Sequence, residues 1–267
     1  TRSGSVTGVQ TCALPISKQN ERNKMDMPLQ SIAGMPSIVQ RWLTRSGIPG
    51  SEPINFAQLK QKGKMRLKPG GKWMSFEAEE YFRIDEPAFV WNSSVKIFPM
   101  LYLNGRDKFQ NGEGEMLMKV LSLVTIVNEK PGKRINESSL LRFLGEICWL
   151  PSAALSKNIK WETIDPVTAR ATMSYHHAIV SGIFQFTEVG DITGFYADRD
   201  YKRGNGYSKE KWQVKIKAYK SFNGIRIPSE SEVIWKLPEG DFNWMNMEIL
   251  DIAYNQPKHL SKSYETK

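Results

Sequence analysis

Residues 57–84 read AQLKQKGKMRLKPGGKWMSFEAEEYFRI, and their alternation predicts one long β-hairpin. Gly70-Gly71 fits the two-residue turn that right-handed strand twist favours. With that turn, one face pairs Leu67 with Met74, Met65 with Phe76, Gly63 with Ala78, Gln61 with Glu80 and Leu59 with Phe82. The other face pairs Lys64 with Glu77, Lys62 with Glu79 and Lys60 with Tyr81. Because side chains alternate along a strand, the hairpin is apolar on one side and a ladder of opposite charges on the other.

On the N-terminal side, PSIVQRWLTRSGIPG predicts a short amphipathic helix with Pro36 in its first turn, an apolar stripe of Ile38, Val39, Trp42 and Leu43, and Gly47 as its stop. On the C-terminal side come the strands AFVWNSSVKIF and LYLNG, then GRDKFQNGEG, whose glycines and Asn111 predict tight reversals. Asp107 and Asp165 read as turn residues. The apolar run 116–127 is expected to be a single strand buried on both faces, with a helix as the alternative that periodicity leaves open. Residues 135–155 predict a second helix, with Asn136 as N-cap, an apolar face of Leu140, Leu141, Phe143, Leu144, Ile147 and Cys148, and Pro151 as terminator. From Asn158 onward only strand patterns follow, separated by turn signals such as Gly204-Asn205-Gly206 and Asn223-Gly224. The predicted fold class is mainly β: a large curved antiparallel sheet or open half-barrel, with two or three helices covering its concave side.

Residues 6–16, VTGVQTCALPI, resemble the translation of a short-read sequencing adapter, so 1–16 are set aside as an artefactual leader. The expected organisation is then a linker at 17–34, one β-rich domain at 35–255 and a polar tail at 256–267. Cys12 belongs to the leader, leaving Cys148 without a disulfide partner. A signal or membrane anchor ahead of residue 17 would have been replaced, so the expected location is membrane-anchored or in the cell envelope, with the cytoplasm as the alternative. The chain is 40% hydrophobic, enough for a sizeable core, and its formal charge is +9. The basic row of Lys60, Lys62, Lys64, Arg66 and Lys68 faces Glu77 and Glu79, which reads as a solvated surface, with phosphate or lipid head-group contact as the alternative, and no nucleic-acid partner is expected.

Catalytic templates are missing: the sequence has no Gly-x-Ser-x-Gly, no Cys-x-x-Cys and no His-Glu-x-x-His. His176 and His177 are adjacent and on a strand would point to opposite faces, so no metal or cofactor is expected. Polar residues interrupting an apolar pattern draw attention instead. Glu80 and Gln61 fall on the greasy face, where a carboxylate needs a partner or a raised pKa. Arg106, Arg142 and Arg199 are candidate partners, and Arg142 with Glu146 lies one helical turn apart. Together with Trp91 and Trp149 these are the candidate ligand-binding residues. The aromatic and methionine excess, including Trp73, Met74, Phe76, Phe184, Trp235, Trp244 and Met247, could line an apolar cavity.

The runs LKQKGKMRLKPGGKWMSFEAEEYF, PAFVWNSSVKI, GEGEMLMKVLSL, LLRFLGEICWLPSAALS and NGIRIPSESEVIWKL resemble an uncharacterised bacterial family of unknown function, over about residues 35–255. More distantly, strands followed by covering helices and then more strands are similar to the LolA/LolB lipoprotein-carrier fold. The resemblance implies a half-open barrel and no established reaction. Three functions follow as expectations: a non-enzymatic domain binding a lipid or other hydrophobic small molecule, a hydrolase using Glu80 with Arg106, Arg142, Glu146 or Arg199, and a protein-interaction domain presenting an external apolar patch. The expected partners are the apolar ligand and a membrane surface reached through the lost anchor, with no nucleic acid.

Overall fold

The computed structural model describes residues 30–204 and 206–256. The leader, residues 17–29 of the linker, residues 257–267 of the tail and Asn205 lie outside the described residues.

The first half of the chain is a meander: β1 Phe56–Met65, β2 Met74–Arg83, β3 Ala88–Phe98, β4 Leu101–Gln110, β5 Glu113–Val120 and β6 Val124–Glu129. The second is a longer one: β7 Ile159–Asp165, β8 Thr168–Tyr175, β9 Ala178–Phe186, β10 Ile192–Arg203, β11 Gly206–Phe222, β12 Ile225–Leu237 and β13 Gly240–Tyr254. Two helices accompany them, α1 Ser37–Arg45 and α2 Lys133–Glu146. The strands form one antiparallel sheet in the order β6-β5-β4-β3-β2-β1-β13-β12-β11-β10-β9-β8-β7. The first meander therefore runs outward from β1 to one edge. The chain crosses over through α2 to the opposite edge, and the second meander returns inward until β13 pairs with β1. The edges β6 and β7 do not join, so the expected open, curved antiparallel sheet is what forms.

As the crossover, α2 lies on the inner face and touches β4 and β5 on one side and β8, β9 and β10 on the other. The sheet thus curls around it. Its apolar residues Leu140, Leu141, Phe143 and Leu144 are buried, with Phe143 edge-on to Phe82 at 6.2 Å. The apolar stripe of α1 is buried as its 3.6-residue spacing requires, Trp42 stacking on Phe184 at 6.3 Å. Arg45 and Arg226 both grip Asp191, fixing the helix to the sheet. Gln30 bonds to Leu155, Ser156 and Ile159, so the last residues of the expected linker pack on the domain.

Several local expectations are corrected. The hairpin turn is centred on Pro69-Gly70: Gly71 N donates to Lys68 O at 3.0 Å and Gly70 has φ +68°. Proline presets the first central position of such a turn and glycine takes the positive φ of the second. The register accordingly moves by two, giving Met65 opposite Met74, Gln61 opposite Ala78, Leu59 opposite Glu80, Lys62 opposite Glu77 and Lys60 opposite Glu79. A shift of two leaves every side chain on its expected face. Residues 116–127 are not one buried strand but parts of β5 and β6 around an exposed turn. Asn136 sits inside α2, which begins at Lys133, and its Oδ1 accepts from Gly114 N at 2.9 Å. His176 and His177 form the turn between β8 and β9. Trp73 is exposed beneath Arg66 and lines no interior.

Candidate functional site

Alternation on β2 puts Glu80 on the inner face with Phe76, Ala78 and Phe82, and there it is fully buried. Its partner is Arg142 of α2: Nη2 donates to Glu80 Oε1 at 2.6 Å, Nη1 to Asp107 Oδ2 at 2.7 Å and Nε to Glu146 Oε1 at 2.7 Å. Gln61 Nε2 donates to Glu80 Oε2 at 3.1 Å, and Trp91 Nε1 donates to Gln61 Oε1 at 2.8 Å. The guanidinium also lies over the rings of Phe89 and Trp91, at 4.6 and 5.2 Å. One cation is thus shared among three carboxylates at the point where α2 meets the floor of the sheet.

Burial pushes the Glu80 carboxyl well above its usual range; Arg142 pulls it back, and the charges of Glu146 and Asp107 push it further up. Burial raises Glu146 as well. Desolvation works against the charge of Arg142, but the surrounding carboxylates outweigh it and hold the guanidinium protonated. Asp107 Oδ1 and Glu146 Oε2 are buried without a protein donor. A carboxyl raised by burial beside other carboxylates is the pattern of an acid–base pair. Here the acid is sealed, and the same geometry serves to pin the crossover helix into the sheet.

Of the residues singled out in the sequence, Gln61, Glu80, Trp91, Arg142 and Glu146 come together. Arg199 stands beside them, donating to Ser138 Oγ at 2.7 Å and lying over Trp212 at 5.0 Å; burial and the neighbouring Arg142 lower its pKa to about 10. Arg106 is elsewhere, partly exposed near Glu115 at 3.8 Å. Trp149 is buried in a separate 3-10 segment and donates to Pro228 O. Asp107, read as a turn residue, is instead inside β4 and within the cluster. Its parity with Leu103 and Phe109, both buried, was the signal that could have placed it.

Toward the β1–β2 and β3–β4 turns the inner face is apolar. The register aligns Met74, Met65, Met245, Val233 and Val214 in one row across five strands. The next row holds Val120, Leu103, Val95, Phe76, Gly63, Met247, Ser231 and Ile216. Met74, Val120, Val214, Ile216 and Met247 keep partial exposure there. On the opposite, polar face a trough of about 750 Å³ has Lys62, Lys64, Lys96 and Lys217 interleaved with Glu77, Glu230, Glu232 and Glu248. Bulges at Lys60/Gln61, Val233/Ile234 and Ile216/Ala218 bend the strands that form it. Its charges compensate one another, as in Lys62–Glu248 and Lys217–Glu232, both at 3.1 Å. Among the described residues no cluster of metal-ligating side chains is present, and no helix is long and apolar enough to cross a membrane.

No curated protein matches the chain significantly. A LolA superfamily protein from Nitrosomonas europaea is similar in structure, at 8% identity and a TM-score of 0.46, covering 83% of this chain and 94% of that one. A DUF1329 family protein from Desulfovibrio piger is similar at 8% identity and a TM-score of 0.43, covering 83% and 93%. At that level the likeness says nothing of what this chain binds. Across residues 33–254 the sequence matches the model of a family of unknown function, DUF6920, and the chain belongs to that family.

Proposed function

We propose that the protein is a non-catalytic binding domain for a lipid or another apolar ligand, seated on the methionine-rich inner floor of the half-barrel. The observation behind this reading is the pair of apolar rows described above, of which Met74, Val120, Val214, Ile216 and Met247 remain partly accessible while α2 closes the inner face elsewhere. Methionine adapts its shape to irregular apolar partners, and ligand sites are mostly apolar with few polar groups, here Gln61, Trp91 and Ser231. The hydrolase alternative is disfavoured because Glu80 is fully buried and Arg142 is already engaged by three carboxylates. A membrane-anchored or envelope location belongs to the same proposal.

The test is a titration of delipidated protein with a soluble fluorescent fatty-acid analogue, read by saturation and by thermal shift. Saturable binding with a stabilisation of about 2.7 kcal/mol at a hundredfold excess over Kd is expected. Met247→Glu should weaken binding at least about tenfold by placing a charge in the apolar floor. Absence of saturation with every fatty acid and phospholipid tried would sink the reading.

A further inference from the structure

We propose that three hairpin tips at one end of the sheet form a docking surface for an anionic lipid bilayer. In the order β1 to β6 every strand is antiparallel to its neighbour, so the β1–β2, β3–β4 and β5–β6 turns emerge side by side, over a width of about 25 Å at ordinary strand spacing. Asn104 bonds to Ser122 across the last two of them.

Nine of the fourteen exposed large apolar side chains among the described residues belong to these turns and the strand ends beside them, so the exposure is concentrated and not scattered. Met100 is 89% exposed and Leu123 81%, with Leu67, Phe98, Leu121 and Val124 around them. The backbone at the tips points the same way. Met100 (φ +67°), Leu121 (φ +51°) and Ser122 (φ +59°) hold the left-handed conformation that side chains resist. Elsewhere the chain meets that requirement mostly with Asn or Gly, as at Asn111-Gly112 and Asn223-Gly224, and once with His176 (φ +50°). At the β3–β4 and β5–β6 tips large apolar residues are kept against turn chemistry, whereas the β1–β2 tip turns on Pro69-Gly70.

Charge identifies the occupant. Residues 61–76, 87–106 and 116–128, which carry the tips, hold eight Lys or Arg and no Asp or Glu; Lys62 and Arg106 pair with Glu248 and Glu115 of neighbouring segments, and the other six, which include Lys68, Lys72 and Lys96, make no ion pair among the described residues. Apolar side chains that enter the headgroup boundary, ringed by lysines that meet lipid phosphates, suit an anionic bilayer. This surface is distinct from the inner floor and does not rest on a ligand being bound there.

The experiment is flotation of the full chain with vesicles of phosphatidylcholine alone and of phosphatidylcholine mixed with phosphatidylglycerol. Binding to the anionic vesicles only is expected, falling as salt rises above about 0.1 M. Phe98→Ser combined with Leu123→Ser, and separately Lys68→Glu combined with Lys72→Glu, should each reduce it at least tenfold, roughly the effect of two surface charges. Ile179→Ser, at an exposed site elsewhere, should leave it unchanged. All these positions are exposed, so unaltered melting temperatures should show that the variants fold. Failure to float with anionic vesicles overturns the proposal. So does a dimer, detected by light scattering and abolished by the tip substitutions, in protein that ignores vesicles. Because the fatty-acid titration uses soluble ligand, tip variants that lose vesicles but keep ligand separate the two readings.

Discussion

Arg142 Nη2 lies 2.6 Å from Glu80 Oε1, joining the crossover helix to the second strand across a site from which Glu80 has no solvent exposure at all. Removing one member of a buried ion pair strands the other charge. Arg142→Ala should therefore lower stability by about 3–5 kcal/mol, read from urea midpoints at unchanged m. Arg142→Lys should recover only part of that loss, since an ammonium cannot fan out to three carboxylates from one planar fork.

Stability should fall on both sides of an optimum pH, from opposite causes. Glu80 has a folded pKa well above 4.5, with burial as the main cause, so its contribution is complete below 4.5 and is lost as pH rises through the folded value. Asp191 behaves inversely. Partial burial opposes its charge, but Arg45 and Arg226 win and hold it below 3.8, so its contribution is present above 3.8 and disappears as pH falls through the lowered value. Urea midpoints across pH should show Glu80→Gln flattening the alkaline limb and Asp191→Asn the acidic one. A profile unchanged by either substitution would contradict these assignments.

Gly63 of β1 pairs with Met247 of β13 where there is no room for a side chain. A Cβ there would lie 2.1 Å from the Asn246 carbonyl oxygen and 2.7 Å from the Phe76 ring. Gly63→Ala is expected to destabilise by about 1–3 kcal/mol, the usual cost of overpacking. Calorimetry would show this as a lower Tm.

Cys148 is buried, and burial, with Glu146 nearby, drives its thiol far above the usual range. In a Cys12→Ser background the native protein should resist an aromatic disulfide reagent and react only at the rate of unfolding. Rapid modification of folded protein would show that the segment after α2 opens readily.

The faces of the central hairpin were legible in the sequence even though its register was not. Gln61 and Glu80 were assigned to the apolar side from alternation, and the structure keeps them there after a two-residue shift set by Pro69-Gly70. Their contact survives as a diagonal hydrogen bond of 3.1 Å. Asp107 was hidden because Gly-Arg-Asp has the composition of a turn, whereas pairing with β3 and β5 extends the strand through it. The turn at residues 121–123 was hidden for the reverse reason: Leu121 and Leu123 look like strand interior and carry no local turn signal.

Side-chain alternation determined most of the strand content and helical periodicity the burial of the α1 stripe, because each depends on neighbours a few positions apart, while the cysteine count alone left Cys148 without a disulfide partner. The order of the strands, the placement of α2 between β4–β5 and β8–β10, and the choice of Arg142 as the counter-ion of Glu80 were decided only in three dimensions. Residues 62 positions apart meet because a crossover helix carries one of them back over the sheet, and local periodicity holds no record of where such a crossover lands.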